Sequence, residues 1–109
     1  MSTKMENLME TPMFGLRVHP GEILVEEFMK PYGLSASQLA LALKTAPANV
    51  SRIINGKQAV SPEMASRLAC AFGTTVGFWM NLQNNFDLAS IGKARWDEIR
   101  SEVSAVRAA

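Results

Sequence analysis

Between Leu34 and Pro62 the chain is punctuated so tightly that only short helices fit. Leu34-Ser35-Ala36-Ser37-Gln38-Leu39 contains a full helix start. Ser35 is the N-cap, Gln38 stands at the reciprocal position of a capping box, and Leu34 with Leu39 forms the hydrophobic staple. The helix it opens turns Leu39, Ala40 and Leu43 inward and gives out around Lys44 and Thr45. After one or two linking residues Pro47 opens another short helix, with Val50, Ile53 and Ile54 on its inner side and Asn55-Gly56 as its stop.

The flanks repeat this vocabulary. Pro20-Gly21-Glu22 begins a helix through Ile23, Leu24, Phe28 and Met29, and Pro31 is expected to end it, with Lys30-Pro31-Tyr32-Gly33 as a turn. Ser61-Pro62-Glu63 starts a fourth helix expected to bury Met64, Leu68, Ala71 and Phe72 before Gly73 stops it. Thr75 caps a fifth, in which Val76, Trp79, Leu82 and Phe86 recur at helical spacing. After a break at Gly92, the residues Trp96, Ile99, Val103 and Val106 keep that spacing and predict a sixth. No segment alternates apolar and polar residues as a half-buried strand does, so the fold expected is all-α.

A chain of 109 residues has material for one core. The expected organisation is a flexible arm over residues 1–13, one domain over 14–92 and a helical extension over 93–109. An alternative for the arm is a marginal amphipathic turn built on Met5, Leu8, Met9 and Met13. The lone Cys70 forms no internal disulfide, and with the lone His19 it falls short of a zinc ligand set, so no metal or other cofactor is expected. No apolar run approaches a membrane span or a secretory signal, which predicts a cytoplasmic protein.

The formal net charge of +1 conceals an asymmetry. From Phe28 to Pro62 there is no Asp or Glu, while Lys30, Lys44, Arg52 and Lys57 are all basic; the remainder then carries −3. Such a division suits a surface for a polyanion.

Two short helices joined by a tight turn, the second with a polar outer face, meet the demands of a DNA-binding helix-turn-helix. Ala40 is the small residue where the helices pack closely, and Val50 and Ile53 hold the second helix to the core. Ala48, Asn49, Ser51, Arg52 and Asn55 face outward. Arg pairs well with guanine and Asn with adenine, and Ala can touch a thymine methyl, so Ala48, Asn49, Ser51 and Arg52 are the candidate base contacts. Ser37, Gln38, Asn55 and Lys57 are the candidate phosphate contacts.

The motifs His19-Pro20-Gly21-Glu22-Ile23-Leu24, Val50-Ser51-Arg52-Ile53-Ile54-Asn55-Gly56-Lys57, Gly73-Thr74-Thr75 and Phe78-Trp79-Met80-Asn81-Leu82-Gln83 stand in an order that resembles the HigA (VapI) antitoxins. These belong to the phage-repressor-like (XRE) helix-turn-helix class, and the likeness runs from Val18 to Leu88. The resemblance implies a five-helix lambda-repressor-like domain, here with an extra C-terminal helix. It implies a homodimer that binds its own double-stranded operator and neutralises a RelE-like mRNA-cleaving toxin, HigB. It also implies base contacts on Ala48, Asn49, Ser51 and Arg52.

Two departures are visible. Where the wider class often has glycine in the turn, this chain has Lys44 and Thr45. The link therefore either avoids the left-handed region or accepts strain of roughly 1 kcal/mol. The recognition helix also begins Pro47-Ala48-Asn49, with its arginine arriving only at Arg52.

Other residues carry plainer expectations. Trp79 and Phe86, at helical spacing, are core residues first; with Trp96 and Ile99 they are also the candidates for a two-fold interface. His19 supports the first helix start, and Cys70 is expected as a buried inert thiol. Glu22, Glu26 and Glu27 form a solvated face, which in this setting could meet a basic ribonuclease. The absence of a nucleophile-base arrangement, a phosphate-cradling glycine loop and metal spacing argues against an enzyme. A stand-alone XRE-type regulator without a toxin, or a protein-binding module on the same scaffold, are the competing readings.

Overall fold

The structure is a computed structural model that describes residues 17–106. The arm expected over residues 1–13 lies outside them. All regular structure among the described residues is helical, with no strand, and forms five helices.

Helix α1 occupies residues 20–32 in three continuous pieces, Pro20–Ile23, a π-wound stretch Leu24–Met29, and Lys30–Tyr32. His19 is its N-cap, with Pro20 in the first turn. Pro31 does not end the helix, contrary to expectation. A proline lacks an N–H and crowds the carbonyl four residues back, and the widened π turn just upstream absorbs both defects. There the Lys30 N–H reaches five residues back to the Val25 carbonyl. The helix stops two residues later, where Gly33 takes the left-handed conformation and the Leu34 N–H bonds the Met29 carbonyl at 3.0 Å.

Helix α2, Ala36–Leu43, opens as expected. The Gln38 N–H donates to Ser35 Oγ at 3.1 Å and the Ser35 N–H to Gln38 Oε1 at 2.9 Å. Leu39, Ala40 and Leu43 are buried. The link to α3, Pro47–Ile54, takes the strained option, because Lys44 is left-handed at φ 57° and ψ 46°. Its N–H bonds Ala40 and Leu41 carbonyls, the Thr45 N–H bonds the Ala40 carbonyl, and Arg67 Nη1 donates to the Leu43 carbonyl at 2.8 Å. The carbonyls at the end of α2 thus find partners, which offsets the steric cost of a non-glycine residue there.

Helix α4, Pro62–Phe72, is capped by Ser61 Oγ and buries Met64, Ala65, Leu68 and Ala69. This stripe differs from the one expected. Ala71 is exposed, Phe72 only half-buried, and Cys70 exposed rather than an enclosed thiol. The residues at 64, 65, 68 and 69 share one helical face, Cys70 points to the opposite side, and Ala71 stands at the edge beside Met64, where it is exposed.

Helix α5, Val76–Glu102, starts at the Thr75 cap and buries Trp79, Leu82 and Gln83, while Val76 in its first turn is exposed. The expected break at Gly92 is a kink with φ 80° and ψ 156°, a conformation that needs glycine. The helical run resumes across it and ends at Glu102. Val103 and Val106, expected to extend the helical spacing, lie beyond its end and are 67% and 99% exposed. Past the kink the described side chains from Lys93 to Val106 are exposed except Ile99, which is half-buried. Among the described residues no helix is long and apolar enough to cross a membrane.

Candidate nucleic-acid interface

Helix α3 has two distinct faces. Val50 and Ile53, each 1% exposed, anchor it to the core cluster with Leu39, Ala40 and Leu43. On the other side Ala48, Arg52 and Asn55 are exposed and Asn49 and Ser51 half-buried. Arg52 Nε donates to Gln58 Oε1 at 2.8 Å, and its Nη2 donates to Asn49 Oδ1 at 2.7 Å. Asn49 Nδ2 in turn donates to Thr45 Oγ1 at 2.8 Å. The expected base-reading residues Asn49 and Arg52 are therefore linked to each other, and to two residues that sequence reasoning missed. Gln58 lies beyond the helix stop, where no periodicity flags it. It returns to Arg52 because the chain turns back after Ile53, with the Lys57 N–H on the Arg52 carbonyl at 2.8 Å.

Ser37 and Gln38 are exposed in the first turn of α2. The Gln38 oxygen is engaged in the capping box, which leaves its amide nitrogen as the group suited to a phosphate. Lys44 and Lys57 are exposed on either side of α3, within the segment that has no acidic residue. This supplies positive charge without base specificity.

The far end of α3 is fixed from α1. A Cβ at Gly21 would overlap the Ile53 carbonyl oxygen, so the close approach of these two helices requires glycine. His19 cements the same corner, as expected for a residue supporting the helix start. Its Nδ1 accepts the Gly21 N–H at 2.9 Å, and its ring meets the edge of Phe86 at 4.9 Å between centroids. Burial pushes the His19 pKa below its ordinary value of 6.5, opposed by a hydrogen bond to the Gln58 backbone and by Asp87 and Glu22. The neutral ring is the form that can accept at Nδ1. A third brace comes from Gln83, 4% exposed, which accepts the Val60 N–H at 2.8 Å and donates to Asp87 at 3.0 Å.

The four interface candidates separate. Trp79 is 0% exposed, with its Nε1 on Thr74 Oγ1 at 2.7 Å and its ring 5.0 Å from Phe28, so it belongs to the protomer's own core and offers no surface to a second copy. Phe86 is half-buried under His19 and the Arg17 guanidinium, 4.9 Å from its ring centre. Trp96, 38% exposed, and Ile99, half-buried, lie past the Gly92 kink. Of the acidic trio on α1, Glu22 is exposed and Glu26 pairs with Lys30 at 2.9 Å.

The fold and the polar outer face of α3 define a helix-turn-helix DNA-binding domain. The helix-turn-helix family profile matches residues 25–79, half of the chain. The chain belongs to that family, in its XRE-type HigA branch. It is 42% identical over 71 residues to virulence-associated protein I of Dichelobacter nodosus, a match covering 65% of this chain and 66% of that relative. The chain thus spans just under two thirds of that relative's length. Among solved structures, the Pseudomonas aeruginosa antitoxin HigA with the higBA promoter superposes with a TM-score of 0.77 at 37% identity, covering 84% of this chain and 100% of that one. Antitoxin GraA in complex with its operator does so with a TM-score of 0.77 at 44% identity, covering 85% and 94%.

Proposed function

We propose that this chain is a sequence-specific DNA-binding repressor acting as the antitoxin of a HigBA-type module, autoregulating its operon and neutralising a RelE-like mRNA-cleaving toxin. The observation that carries the DNA-binding part is the outer face of α3, where Arg52 stands exposed and hydrogen-bonded on a helix anchored by Val50 and Ile53. Two relatives of the same fold solved with promoter or operator DNA support it. The antitoxin part rests on the names of those relatives.

In this reading Ala48, Asn49, Ser51 and Arg52 face the bases, and Ser37, Gln38, Asn55 and Lys57 hold phosphates. A homodimer presents two such helices to successive major grooves, about 34 Å apart on a pseudo-palindromic site. Trp96 and Ile99 are the surface residues assigned to its two-fold contact. Promoter occlusion then gives repression. The protein works in the cytoplasm and contributes no catalytic step.

The test is fluorescence anisotropy of labelled DNA from the gene's own upstream region, titrated at several salt concentrations against a scrambled competitor. Selective, salt-sensitive binding is expected. Equal affinity for both duplexes at every salt concentration would leave only electrostatic attachment and refute the repressor reading.

A further inference from the structure

The side chain best suited to read a guanine is already held before any DNA arrives. Arg52 spends its Nε hydrogen on Gln58 Oε1 at 2.8 Å and one Nη2 hydrogen on Asn49 Oδ1 at 2.7 Å. Nη1 and the second Nη2 hydrogen have no partner among the described residues. They form the guanidinium edge whose fork matches the two acceptors of guanine. Asn49 is half-buried, and both ends of its amide are engaged, the oxygen by Arg52 and the nitrogen by Thr45 at 2.8 Å. Reading adenine needs that same oxygen and nitrogen turned together toward one base.

Both outer members of the chain are themselves anchored. Thr45 directly follows the left-handed Lys44 in a turn stitched to Ala40. The backbone of Gln58 is hydrogen-bonded to His19, whose other ring nitrogen caps α1. A long arginine held in this way gives up its rotamer freedom on folding rather than on binding, and presents its fork in one direction.

We propose that Gln58 and Thr45 are positioning residues for operator discrimination: Gln58 directly, and Thr45 through Asn49, hold Arg52 so that its Nη1 edge meets a guanine. Asn49 serves this hold instead of reading a base of its own. The inference rests on the DNA-binding reading above, and refines it by moving Asn49 from base contact to support.

A duplex library with a randomised core is selected in parallel by the wild-type protein and by Arg52→Ala, Gln58→Ala, Gln58→Glu, Thr45→Val, Asn49→Ala and the Arg52→Ala, Gln58→Ala double variant. Thermal melts confirm that each remains folded. The wild type is expected to enrich a motif with a guanine position that Arg52→Ala erases. Gln58→Ala and Asn49→Ala each weaken preference at that same position by about tenfold, for a lost bond to a charged group, and Thr45→Val, which loses only a neutral bond to Asn49, weakens it by a few-fold. Gln58→Ala adds nothing once Arg52 is gone, and Gln58→Glu, which keeps the acceptor, restores the guanine preference.

In the DNA-free protein, the Arg52 Nε–H resonance is protected from exchange and loses that protection in Gln58→Ala. A motif whose guanine position is indifferent to Gln58→Ala, an adenine position erased by Asn49→Ala, or an unprotected Nε–H overturns the hold while leaving the DNA reading intact. Enrichment of no motif by the wild type overturns both.

Discussion

The stretch from His19 to Phe86 and the stretch after Gly92 are both helical, yet they are stabilised in different ways. In the first, helices are tied by contacts between residues far apart in sequence. Gly21 lies against the Ile53 carbonyl, Arg67 bonds the end of α2, Gln83 bonds Val60, and the Trp79 ring is enclosed by Phe28 and Phe78. In the second, the ion pairs are local, Lys93 with Asp97 at 2.9 Å and Arg95 with Glu98 and Glu102 at 3.7 and 3.6 Å. Exposed pairs of this kind contribute at most about 1 kcal/mol each. A base-reading surface needs helices that do not shift, and only the first stretch has the packing to provide that. The second carries Trp96, 38% exposed, and Ile99, half-buried, on a run whose other described side chains beyond Gly92 face solvent.

This contrast can be broken most sharply at Trp79. Trp79→Ala empties the centre of the first stretch and is expected to cost about 3–5 kcal/mol of unfolding free energy, measured by urea titration. A loss below ~1 kcal/mol would mean that the core is not organised around this ring. Gly21→Ala comes next. It forces α1 and the Ile53 carbonyl of α3 apart at about 1–3 kcal/mol, and DNA affinity falls with stability because α3 is the helix proposed to read bases. Unchanged melting would show that the two helices have room to spare.

His19→Ala removes the α1 cap, for about 1 kcal/mol. The titration of this residue sharpens the point. Because burial lowers the folded pKa of His19, the unfolded chain binds more protons near pH 6.5, so the stabilisation is complete above that pH and lost as pH falls through the folded value. His19→Asn, which keeps an acceptor at the cap, should flatten this part of the pH profile. A wild-type stability that is level across that range contradicts the assignment.

Lys44→Gly should stabilise the protein, by about 1 kcal/mol less the extra freedom glycine gains in the unfolded chain. Destabilisation would imply that the lysine side chain makes a contact outweighing its strained backbone. Smallest of all, Arg95→Ala should change protomer unfolding by about 1 kcal/mol or less, because its pairs with Glu98 and Glu102 are exposed. A loss approaching that of Trp79→Ala would erase the distinction between the two stretches.

Legibility in the sequence followed the same divide between local and distant partners. The Ser35–Gln38 capping box was readable in full because its residues lie within one helical turn, and the inward set Leu39, Ala40, Leu43, Val50 and Ile53 followed from spacing, whereas Ile54, expected with them, is half-buried at the edge of the core. The Gly92 break was marked by glycine. Cys70 and Ala71 were misplaced because small apolar residues tolerate either face of a helix, and the stripe through Ala65 and Ala69 is set by what packs on it. Pro31 was misread as a terminator because the π turn that tolerates it has no local signature.

On the outer side of α3, Ala48, Arg52 and Asn55 are exposed as expected and Asn49 and Ser51 half-buried, but the wiring among them was not legible. Gln58 meets Arg52 only after the chain reverses, and Gln83 meets a backbone amide 23 positions away. Val103 and Val106 keep helical spacing in the sequence, but the spacing carries no information about whether a core lies opposite.

The central claim is that α3 reads sequence while its surroundings supply charge. Its most direct test measures affinity for the gene's upstream DNA and for a scrambled duplex, in wild type, Arg52→Ala and Lys57→Ala. Arg52→Ala should lower the ratio of the two affinities by a factor corresponding to about 1–3 kcal/mol, whereas Lys57→Ala should weaken both duplexes alike and reduce the salt slope by about one. If both substitutions weakened the two duplexes equally, Arg52 would be one more phosphate contact, and α3 would not be the element that reads the operator.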